Sequence, residues 1–252
     1  MLDRFFPQIF LGAAQRNLFE KGLPVFTYHY IGTPPSGADP FLYVSPERFD
    51  AQLLAMRGAG YTSVSLSDFS PAVSGPSRGI VITFDDGARN VCDLGLEILA
   101  RHRFQAIQFI VSDYIGQRNE WDAKHGNVEV PLMDDSQIRD WLAAGHRIGS
   151  HSATHRNLLK LNREEAREQI AGSKKKLEDR FGVPVEHFCY PHGRWNAMTR
   201  ELAGEAGYLT ACTTEFGVNT PDTPPYSLKR IFPLSAAEWI HKIQDRLLKK
   251  IK

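Results

Sequence analysis

The chain has 252 residues, of which 42% are hydrophobic and 23% are charged, and its formal net charge is +1. This composition is typical of a globular protein that can bury a core. The near-zero charge gives no reason to expect a nucleic acid or another polyanion as a partner. Three widely spaced cysteines, Cys92, Cys189 and Cys212, support neither a disulfide framework nor a cysteine zinc site.

The first segment, MLDRFFPQIFLGAAQRNLFEKG, lacks a basic region followed by an uninterrupted apolar core. No apolar run approaches the roughly 18 residues of a membrane-spanning helix. As written, the sequence therefore predicts a chain that is neither secreted nor membrane-spanning. We expect a cytoplasmic location, with peripheral contact to a membrane as a second option.

In chain order, short apolar or β-branched runs alternate with segments of helical period. The strand candidates are LPVFTYHYI, YTSVSL, GIVITF, FQAIQFIVS, HRIGS, VEHFCY, YLTACTT and SLKRIF. The helix candidates are SPERFDAQLLAMRGAG, a segment from about Arg89 to Arg101, DSQIRDWLAAG, NREEAREQIAGSKKKLEDRFG, NAMTRELAGEAG and the carboxyl-terminal segment. The alternation, without a repeat or a domain-sized linker, predicts one parallel α/β domain over residues 1–252. Its length suits a (β/α) barrel of about 250 residues better than an open sheet.

Polar clusters follow four of the predicted strands. They are Tyr28-His29, Asp85-Asp86, His151 to His155, and Tyr190 to Gly193. The catalytic groups of such barrels lie at the carboxyl ends of the strands, where the following loops converge. We therefore expect these four segments to face one cleft.

Asp85 and Asp86 are adjacent carboxylates directly after an apolar strand, in GIVITFDDGARN. Like charges repel, so either the pair is an exposed turn or a cation makes it favourable. The spacing of His151 and His155 is weak evidence alone, since about 0.3 such pairs arise by chance among nine histidines. Two neutral imidazoles with one carboxylate, however, form a three-ligand site for zinc or a similar divalent ion. One aspartate then ligates the metal while its neighbour stays ionised.

These motifs resemble those of a known family. TFDDG at 83–87, HSATH at 151–155 and FCYPHG at 188–193 look like successive motifs of the polysaccharide deacetylase family, also called the NodB-homology domain or carbohydrate esterase family 4. LAAGHRIGSHSATHRNL and GEAGYLTACTTEFGVNT resemble it as well, so the similarity covers about residues 23–233. The resemblance implies a distorted (β/α) barrel with fewer than eight complete repeats.

The resemblance also implies an activity, a cofactor and roles for residues. The activity is metal-dependent removal of acetyl groups from an N-acetylated polysaccharide, oligosaccharide or lipid-linked sugar. Asp85 is the expected general base, and Asp86, His151 and His155 are the expected ligands of one divalent metal ion. Zn²⁺ is the first choice, and Co²⁺, Ni²⁺, Mn²⁺ and Fe²⁺ are also compatible. The backbone N–H of His192 is the expected oxyanion donor.

Two departures from the family pattern affect the expected roles. The third motif often reads Arg-x-Pro-Tyr, but here Cys189 and His192 replace the arginine and the tyrosine, so we expect Arg230 to orient the base. A late Leu-x-x-His motif is missing, and His241 lies on a predicted surface helix. VFTYHYIG resembles the early Tyr-His segment of the branch that acts on poly-N-acetylglucosamine. His29 is therefore the expected general acid, across the site from Asp85, with His192 as its competitor.

Three further regions carry expectations about binding. Tyr190 and Pro191 are expected substrate contacts through the third motif. Trp121 is expected either to stack on a sugar ring or to lie in a plain surface loop. Residues 235–252 form an amphipathic helix with lysines and an arginine opposite an apolar stripe. This helix is expected to dock on the barrel or to bind weakly to a membrane surface.

The sequence therefore predicts a metal-dependent carbohydrate N-deacetylase. Two alternatives remain from the residues. One is a related amide hydrolase that acts on a compound other than a sugar, because the scaffold does not fix the substrate. The other is a saccharide-binding barrel without activity, because the third motif is altered. No pattern in the sequence indicates an oligomeric state.

Overall fold

We describe a computed structural model of the chain, which places residues 17–68, 78–123 and 128–233. Ten strands are described, and their bounds are β1 Val25–Tyr28, β2 Tyr30–Ile31, β3 Tyr43–Val44, β4 Thr62–Ser63, β5 Gly79–Phe84, β6 Ala106–Ile110, β7 Arg147–Ser150, β8 His187–Cys189, β9 Thr210–Phe216 and β10 Leu228–Arg230. The α-helices are α1 Pro46–Gly58, α2 Arg89–His102, α3 Glu120–Ala123, α4 Asp135–Ala143, α5 Arg163–Arg167, α6 Ser173–Phe181 and α7 Ala197–Glu205. No helix within these ranges has the length and apolar content needed to span a bilayer.

Seven parallel strands form the barrel, in the order β1, β5, β6, β7, β8, β9 and β10. The barrel closes where β10 returns to β1. Thr27 N donates to Ile231 O at 3.0 Å, and Ile231 N donates to Val25 O at 2.8 Å. The parallel (β/α) barrel expected from the sequence is thus confirmed, with seven strands rather than eight.

The predicted strand YTSVSL contributes least to the sheet. Only Thr62 and Ser63 pair, with Gly79 and Ile80 at the start of β5, and β4 lies outside the barrel order. The predicted first strand is also divided, because β1 ends at Tyr28 and β2 begins at Tyr30. β2 pairs with β3 in a separate two-stranded sheet. His29 lies at this break, where the chain leaves the barrel.

The helices begin as their sequences predict. Ser45 accepts a hydrogen bond from Arg48 N at the start of α1, and Asn196 caps α7 in a capping box. The long segment after Asn162 differs from a plain helix. Residues Glu168–Gly172 form a π-helical turn between α5 and α6. Such turns occur frequently at functional sites.

The barrel interior is filled by a small buried cluster that takes members from six of the seven strands. Its members are Val25, Leu66, Val81, Ile107, Phe109, Cys189, Cys212 and Leu228. Side chains two residues apart in a strand face the same way. Asp85 therefore continues the inward row that contains Val81, and Arg230 continues the row that contains Leu228. This alternation brings both charged side chains to the carboxyl end of the barrel interior.

Candidate metal and active site

The predicted site residues meet at the carboxyl ends of the barrel strands. One open cleft is lined by His29, Asp85, Asp86, His151, His155 and His192, together with residues of the surrounding loops. Parallel strands in register explain the convergence, because the residues that follow neighbouring strands leave the sheet side by side. Tyr28 pairs with Phe84, so His29 and Asp85 come next to each other.

Arg230 forms a bidentate ion pair with Asp85. Its two terminal nitrogens lie 2.8 Å from Oδ1 and 2.7 Å from Oδ2, and both side chains are buried. Arg230 Nε donates to Thr213 O at 2.7 Å, which fixes the plane of the guanidinium. The arginine thus comes from β10, not from the third motif, and it holds the carboxylate as expected for an orienting residue.

The pair sets the charge of Asp85. Burial alone would raise the pKa of Asp85, but the Arg230 guanidinium outweighs this effect and holds the pKa well below its usual range. Burial lowers the pKa of a guanidinium, and the Asp85 charge reverses that effect and raises the pKa of Arg230. Asp85 is therefore an anion throughout the neutral pH range.

Asp86, His151 and His155 offer three ligand atoms around one point. Asp86 Oδ1 lies 3.5 Å from Nε2 of each histidine, and all three side chains are buried. A tetrahedral zinc ion with bonds of about 2.0–2.1 Å separates its ligand atoms by about 3.3–3.4 Å. The spacing and the donor types fit a divalent ion of this kind.

The protonation of the two histidines also fits metal ligation. His151 Nδ1 donates to Cys189 O at 2.8 Å, which leaves Nε2 without a proton and directed at Asp86. Burial lowers the pKa of His151, and burial with the neighbouring His151 and His192 lowers the pKa of His155 well below its ordinary value. Both rings are therefore neutral, as a metal requires.

Asp86 would be unfavourable here without a cation. Burial, together with the charges of Asp122 and Asp85, raises its pKa well above the usual range. A bound cation reverses this preference, because it favours the ionised carboxylate. The repulsion between the two adjacent buried carboxylates is thus relieved by two different partners. Arg230 neutralises one aspartate, and the ligand arrangement suits a metal ion at the other.

The second oxygen of Asp86 is also held. Tyr30 OH lies 2.9 Å from Asp86 Oδ2 and 3.2 Å from Asp122 Oδ2. Asn119 Nδ2 donates to both Tyr30 OH, at 3.1 Å, and Asp122 Oδ2, at 2.6 Å. This chain orients the carboxylate so that Oδ1 faces the two histidines. Sequence reasoning missed Tyr30, whose only signal was its place in the Tyr-His segment.

Strained backbone is concentrated in the site. Five non-glycine residues of the described chain have positive φ, and four of them lie here, namely Asp86, Ser152, His155 and His192. The fifth, Arg103, ends α2. Such conformations cost of order 1–3 kcal/mol each and persist where the surroundings fix them. Their clustering is consistent with a functional site.

The π-helical turn supports the loop that carries both histidines. Gln169 O accepts from Ala153 N at 3.1 Å, and Gln169 Oε1 accepts from Thr154 N at 2.9 Å. Ser152 Oγ accepts from His155 N at 3.0 Å. Sequence reasoning did not single out Gln169, because no residue pattern predicts a π-helical turn. The turn leaves the backbone carbonyl of Gln169 available to Ala153 N.

The two candidate acids occupy different places. His29 Nε2 lies 3.9 Å from Asp85 Oδ2, and its ring stacks on Phe232. The expectation that His29 stands across the site from Asp85 is therefore corrected, because the adjacent strands β1 and β5 place them on one side. The His192 ring packs 4.6 Å from the His155 ring, beside the metal ligands. His241 lies outside the described residues.

Two of the three expected substrate contacts line the cleft. Trp121 is 7% exposed and stacks on His155 with ring centroids 4.6 Å apart, so it is not in a plain surface loop and one face is covered. Tyr190 also lines the cleft, and its hydroxyl donates to Tyr226 O. Pro191 is buried and is not part of the cleft lining. The predicted helix over residues 235–252 lies outside the described residues.

Comparison with known proteins agrees with this geometry. The family model for polysaccharide deacetylase matches residues 72–211, which is more than half of the chain. The chain belongs to the polysaccharide deacetylase family. This family membership confirms the resemblance read from TFDDG, HSATH and FCYPHG, and it agrees with the parallel barrel.

Individual relatives match most of this chain. YxkH of Bacillus subtilis (strain 168), whose name places it among polysaccharide deacetylases, is 25% identical over 213 residues, which are 83% of this chain and 70% of YxkH. A peptidoglycan-N-acetylglucosamine deacetylase of Bacillus cereus is 28% identical over 191 residues, 73% of this chain and 61% of its own length. The chain thus spans only part of these relatives.

A solved structure shows the same fold. BC0361, a polysaccharide deacetylase from Bacillus cereus, superposes with a TM-score of 0.72 at 25% sequence identity. The superposition covers 89% of this chain and 70% of BC0361. The barrel described here is therefore similar in fold to that solved structure over most of this chain.

Proposed function

We propose that this protein is a metal-dependent hydrolase that removes acetyl groups from an N-acetylated saccharide. The observation that carries the proposal is the arrangement of two adjacent aspartates. Asp86 Oδ1 lies 3.5 Å from Nε2 of both His151 and His155, while Asp85 is held by Arg230 in the same cleft. A carboxylate that could act as a base thus lies beside three candidate metal ligands, an arrangement that suits metal-assisted amide hydrolysis.

Zinc suits the ligand set best, because two imidazoles and one carboxylate leave a position open for substrate. When bound, the ion would polarise the amide carbonyl and lower the pKa of water from about 15.7 towards about 7. Asp86, His151 and His155 would hold it, and Tyr30 would keep Asp86 turned towards it. The same donors also accept other divalent transition metals.

Asp85 would act as the general base. Its carboxylate is ionised, because Arg230 holds its pKa low, and it faces the cleft beside the ligand set. Arg230 donates a hydrogen bond to each carboxylate oxygen of Asp85 and so keeps the carboxylate from rotating. Asp85 would take the proton of the attacking water. His29 lines the same cleft on the Asp85 side, with Nε2 3.9 Å from Asp85 Oδ2, and would donate a proton to the departing nitrogen from there. The leaving group thus departs as an amine and not as an amide anion.

His192 would contribute through its backbone. The loop after β8 gives this residue a φ of 59° and lies beside His155. An N–H at this position would stabilise the negative charge that develops on the carbonyl oxygen. Loss of one such donor commonly costs on the order of 10²-fold in rate.

The saccharide part of the proposal rests on the family and on the named relatives. The Bacillus cereus relative is named for N-acetylglucosamine in peptidoglycan. We infer a substrate of the same general class, an N-acetylated sugar in a polymer, in an oligosaccharide or on a lipid carrier. The cleft is lined by the aromatic side chains of Tyr114, Trp121 and Phe232, which suit contact with sugar rings.

Acetate release tests the proposal. The protein is stripped with a chelator, reloaded with Zn²⁺, and incubated with chitotetraose, a lipid-linked N-acetylated sugar and a set of acetylated non-sugar amides. We expect acetate from at least one saccharide, loss of release after chelation, and recovery with zinc. Release only from non-sugar amides indicates a different amide hydrolase. Saccharide binding without acetate release indicates a barrel without activity.

A further inference from the structure

The lining of the cleft contains two unlike groups of side chains. One group, which we call the aromatic wall, is apolar and aromatic and consists of Leu42, Tyr114, Trp121 and Phe232. The other group comes from the loops after β7 and β8 and carries three cationic side chains, Arg156, Lys160 and Arg194. We call these three residues the basic wall. A neutral sugar chain could pack against the aromatic wall, but it has no negative charge that could pair with the cations of the basic wall.

The cations of the basic wall differ in pairing from those nearby. Across the described part of the chain, no carboxylate lies within ion-pair distance of Lys160 or Arg194, and Arg156 reaches only Glu165, at 3.7 Å. On the neighbouring helices α5 and α6, every cation forms an ion pair. These cations are Arg163, Arg167, Lys174, Lys175, Lys176 and Arg180. Lys160 and Arg194 thus line the cleft without a carboxylate partner among the described residues, whereas the cations of α5 and α6 have one.

The backbone beneath the basic wall is fixed. Gly193 has a φ of 66°, and a Cβ there would lie 2.1 Å from Thr214 Oγ1, so this loop packs directly on β9. Arg194 N donates to Pro191 O at 3.2 Å, and Lys160 N donates to Asn157 O at 3.0 Å. The cations therefore extend from defined positions beside the cleft.

The acidic residues of the cleft offset only part of this charge. Arg230 neutralises Asp85, and Asp86 belongs to the proposed metal ligands. Asp122 keeps its negative charge, because its partners Tyr30 and Asn119 are neutral, and this one charge is fewer than those of Lys160 and Arg194. The basic wall consequently faces the cleft with an excess of positive charge, which favours an anionic ligand.

We propose that the basic wall binds a carboxylate or phosphate carried by the N-acetylated saccharide substrate. The proposal rests on the proposed deacetylase function for the acetyl group and on the basic wall for the anion. Guanidinium groups bind both anions through paired N–H donors, and lysine adds a point charge. The substrate class is therefore an anionic N-acetylated saccharide, with its sugar ring on the aromatic wall.

The test measures binding separately from turnover. Zinc-loaded Asp85→Asn protein, which should not turn over, is titrated with three probes. They are neutral chitotetraose, an oligosaccharide that alternates N-acetylglucosamine with N-acetylmuramic acid, and UDP-N-acetylglucosamine. The second probe presents carboxylates and the third phosphates, so the two sources of negative charge are distinguished. Titrations at about 50 mM and about 500 mM salt measure the electrostatic part, because higher salt shortens the screening length.

We expect at least one anionic probe to bind about 10-fold more tightly than chitotetraose at low salt, with the advantage shrinking at high salt. The double variant Lys160→Gln/Arg194→Gln should remove this advantage and leave the chitotetraose Kd within about 2-fold. The matched control Lys175→Gln/Arg180→Gln removes the same charge from paired residues of α6 and should keep the advantage.

Three results would overturn the proposal. The first is that the anionic probes bind no more tightly than chitotetraose, or do not bind detectably. The second is that the Lys160→Gln/Arg194→Gln variant binds all three probes more weakly by the same factor. The third is that the Lys175→Gln/Arg180→Gln control also loses the preference for the anionic probe. Acetate assays on the wild-type protein separate the two proposals. Preferential binding of an anionic probe without acetate from any saccharide contradicts the deacetylase function alone. Acetate from chitotetraose with no anionic preference contradicts the basic wall alone.

Discussion

Buried histidines lie at both ends of the barrel, but their hydrogen bonding differs. At the amino end of β8, His187 uses both ring nitrogens, with Nδ1 3.0 Å from Thr210 Oγ1 and Nε2 3.2 Å from Ser67 Oγ. At the carboxyl end of the barrel, Nε2 of His151 and of His155 converges on Asp86. Burial alone therefore does not distinguish a candidate metal ligand from a histidine of the core. The candidate ligands His151 and His155 differ from His187 because two ring nitrogens meet at one carboxylate oxygen.

The two ends also differ in their ion pairs. Asp85 and Arg230 form a fully buried pair at the carboxyl end, whereas Arg147 and Glu186 form a pair at the amino end with 51% and 29% of their side chains exposed. A buried charge without its partner is costly, and an exposed pair contributes little. Breaking the ion pair should therefore lower the free energy of unfolding more at the carboxyl end of the barrel than at the amino end.

The largest effect is expected from Arg230→Gln. This change leaves Asp85 buried without its cation, so the free energy of unfolding should fall by about 3–5 kcal/mol. Arg147→Gln is the control at the other end and should cost at most about 1 kcal/mol. Urea unfolding at pH 7 measures both. An equal loss of unfolding free energy in the two variants would show that the buried ion pair stabilises the fold no more than the exposed one.

The same variant changes the pH dependence of activity. Arg230 lowers the pKa of Asp85, so its loss should raise that pKa and move the acid limb of kcat/KM to higher pH. In the wild type, the pair stabilises the fold above the usual aspartate pKa, and this stability is lost as the pH falls through the lowered pKa. An unmoved acid limb in folded Arg230→Gln would show that Asp85 does not set it.

The next effect concerns His187. Burial lowers its pKa to about 4, so the folded state resists protonation while the unfolded state takes up a proton near pH 6.5. Its contribution to stability is complete above pH 6.5 and falls by about 3 kcal/mol as the pH drops to 4. His187→Gln should lose stability less steeply over this range. Parallel stability curves for the two proteins would rule out the assignment.

A smaller loss is expected when His29, the proposed general acid, is replaced. His29→Ala should keep its metal, lose roughly 10²-fold in turnover and lose the high-pH limb of the kcat profile. His192→Ala should keep that limb, because its backbone N–H survives the substitution. The pH dependence of kcat is measured for both on one acetylated sugar. A normal limb in His29→Ala with a lost limb in His192→Ala would transfer the role to His192.

The smallest effect is expected from Tyr30→Phe. The hydroxyl that holds Asp86 Oδ2 is lost, and metal affinity should fall about 10-fold, since partners of ligands commonly contribute this much. Tyr28→Phe is the matched control, because Tyr28 bonds Gln52 away from the metal ligands. Competition with a fluorescent zinc chelator measures both affinities. Equal affinities in the two variants would mean that Tyr30 does not orient Asp86.

The core of the site was predictable because its chemistry appears in residue types at strand ends. Asp85 and Asp86 directly follow one apolar strand. His151 and His155 follow another strand, and they are four positions apart, a spacing that suits two metal ligands. Arg230 was named because the third motif lacks its arginine, although its bidentate contact with Asp85 spans 145 positions of sequence. Such a contact depends on barrel closure between β10 and β1, which sequence periodicity does not encode.

Other features depended on tertiary packing. The break at His29 arises because β2 pairs with β3 outside the barrel, although the apolar run is continuous in sequence. Trp121 looked like part of a polar loop, but His155 and Tyr114 bury its ring. The π turn around Gln169 has no residue signature. In each case the local pattern was compatible with several structures, and long-range contacts selected one.

Metal analysis of the two aspartate variants tests the central claim most directly. Asp85→Asn should retain about one metal ion per chain and lose nearly all acetate release, because it removes the proposed base and no metal ligand. It also leaves Arg230 buried without its anion, so the free energy of unfolding should fall as well. Asp86→Ala should lose both the metal and the activity, because one ligand of three is gone. Elemental analysis is made on both proteins after dialysis, with circular dichroism to confirm folding. If Asp85→Asn loses the metal and Asp86→Ala retains it, the assigned roles are reversed and the account is contradicted.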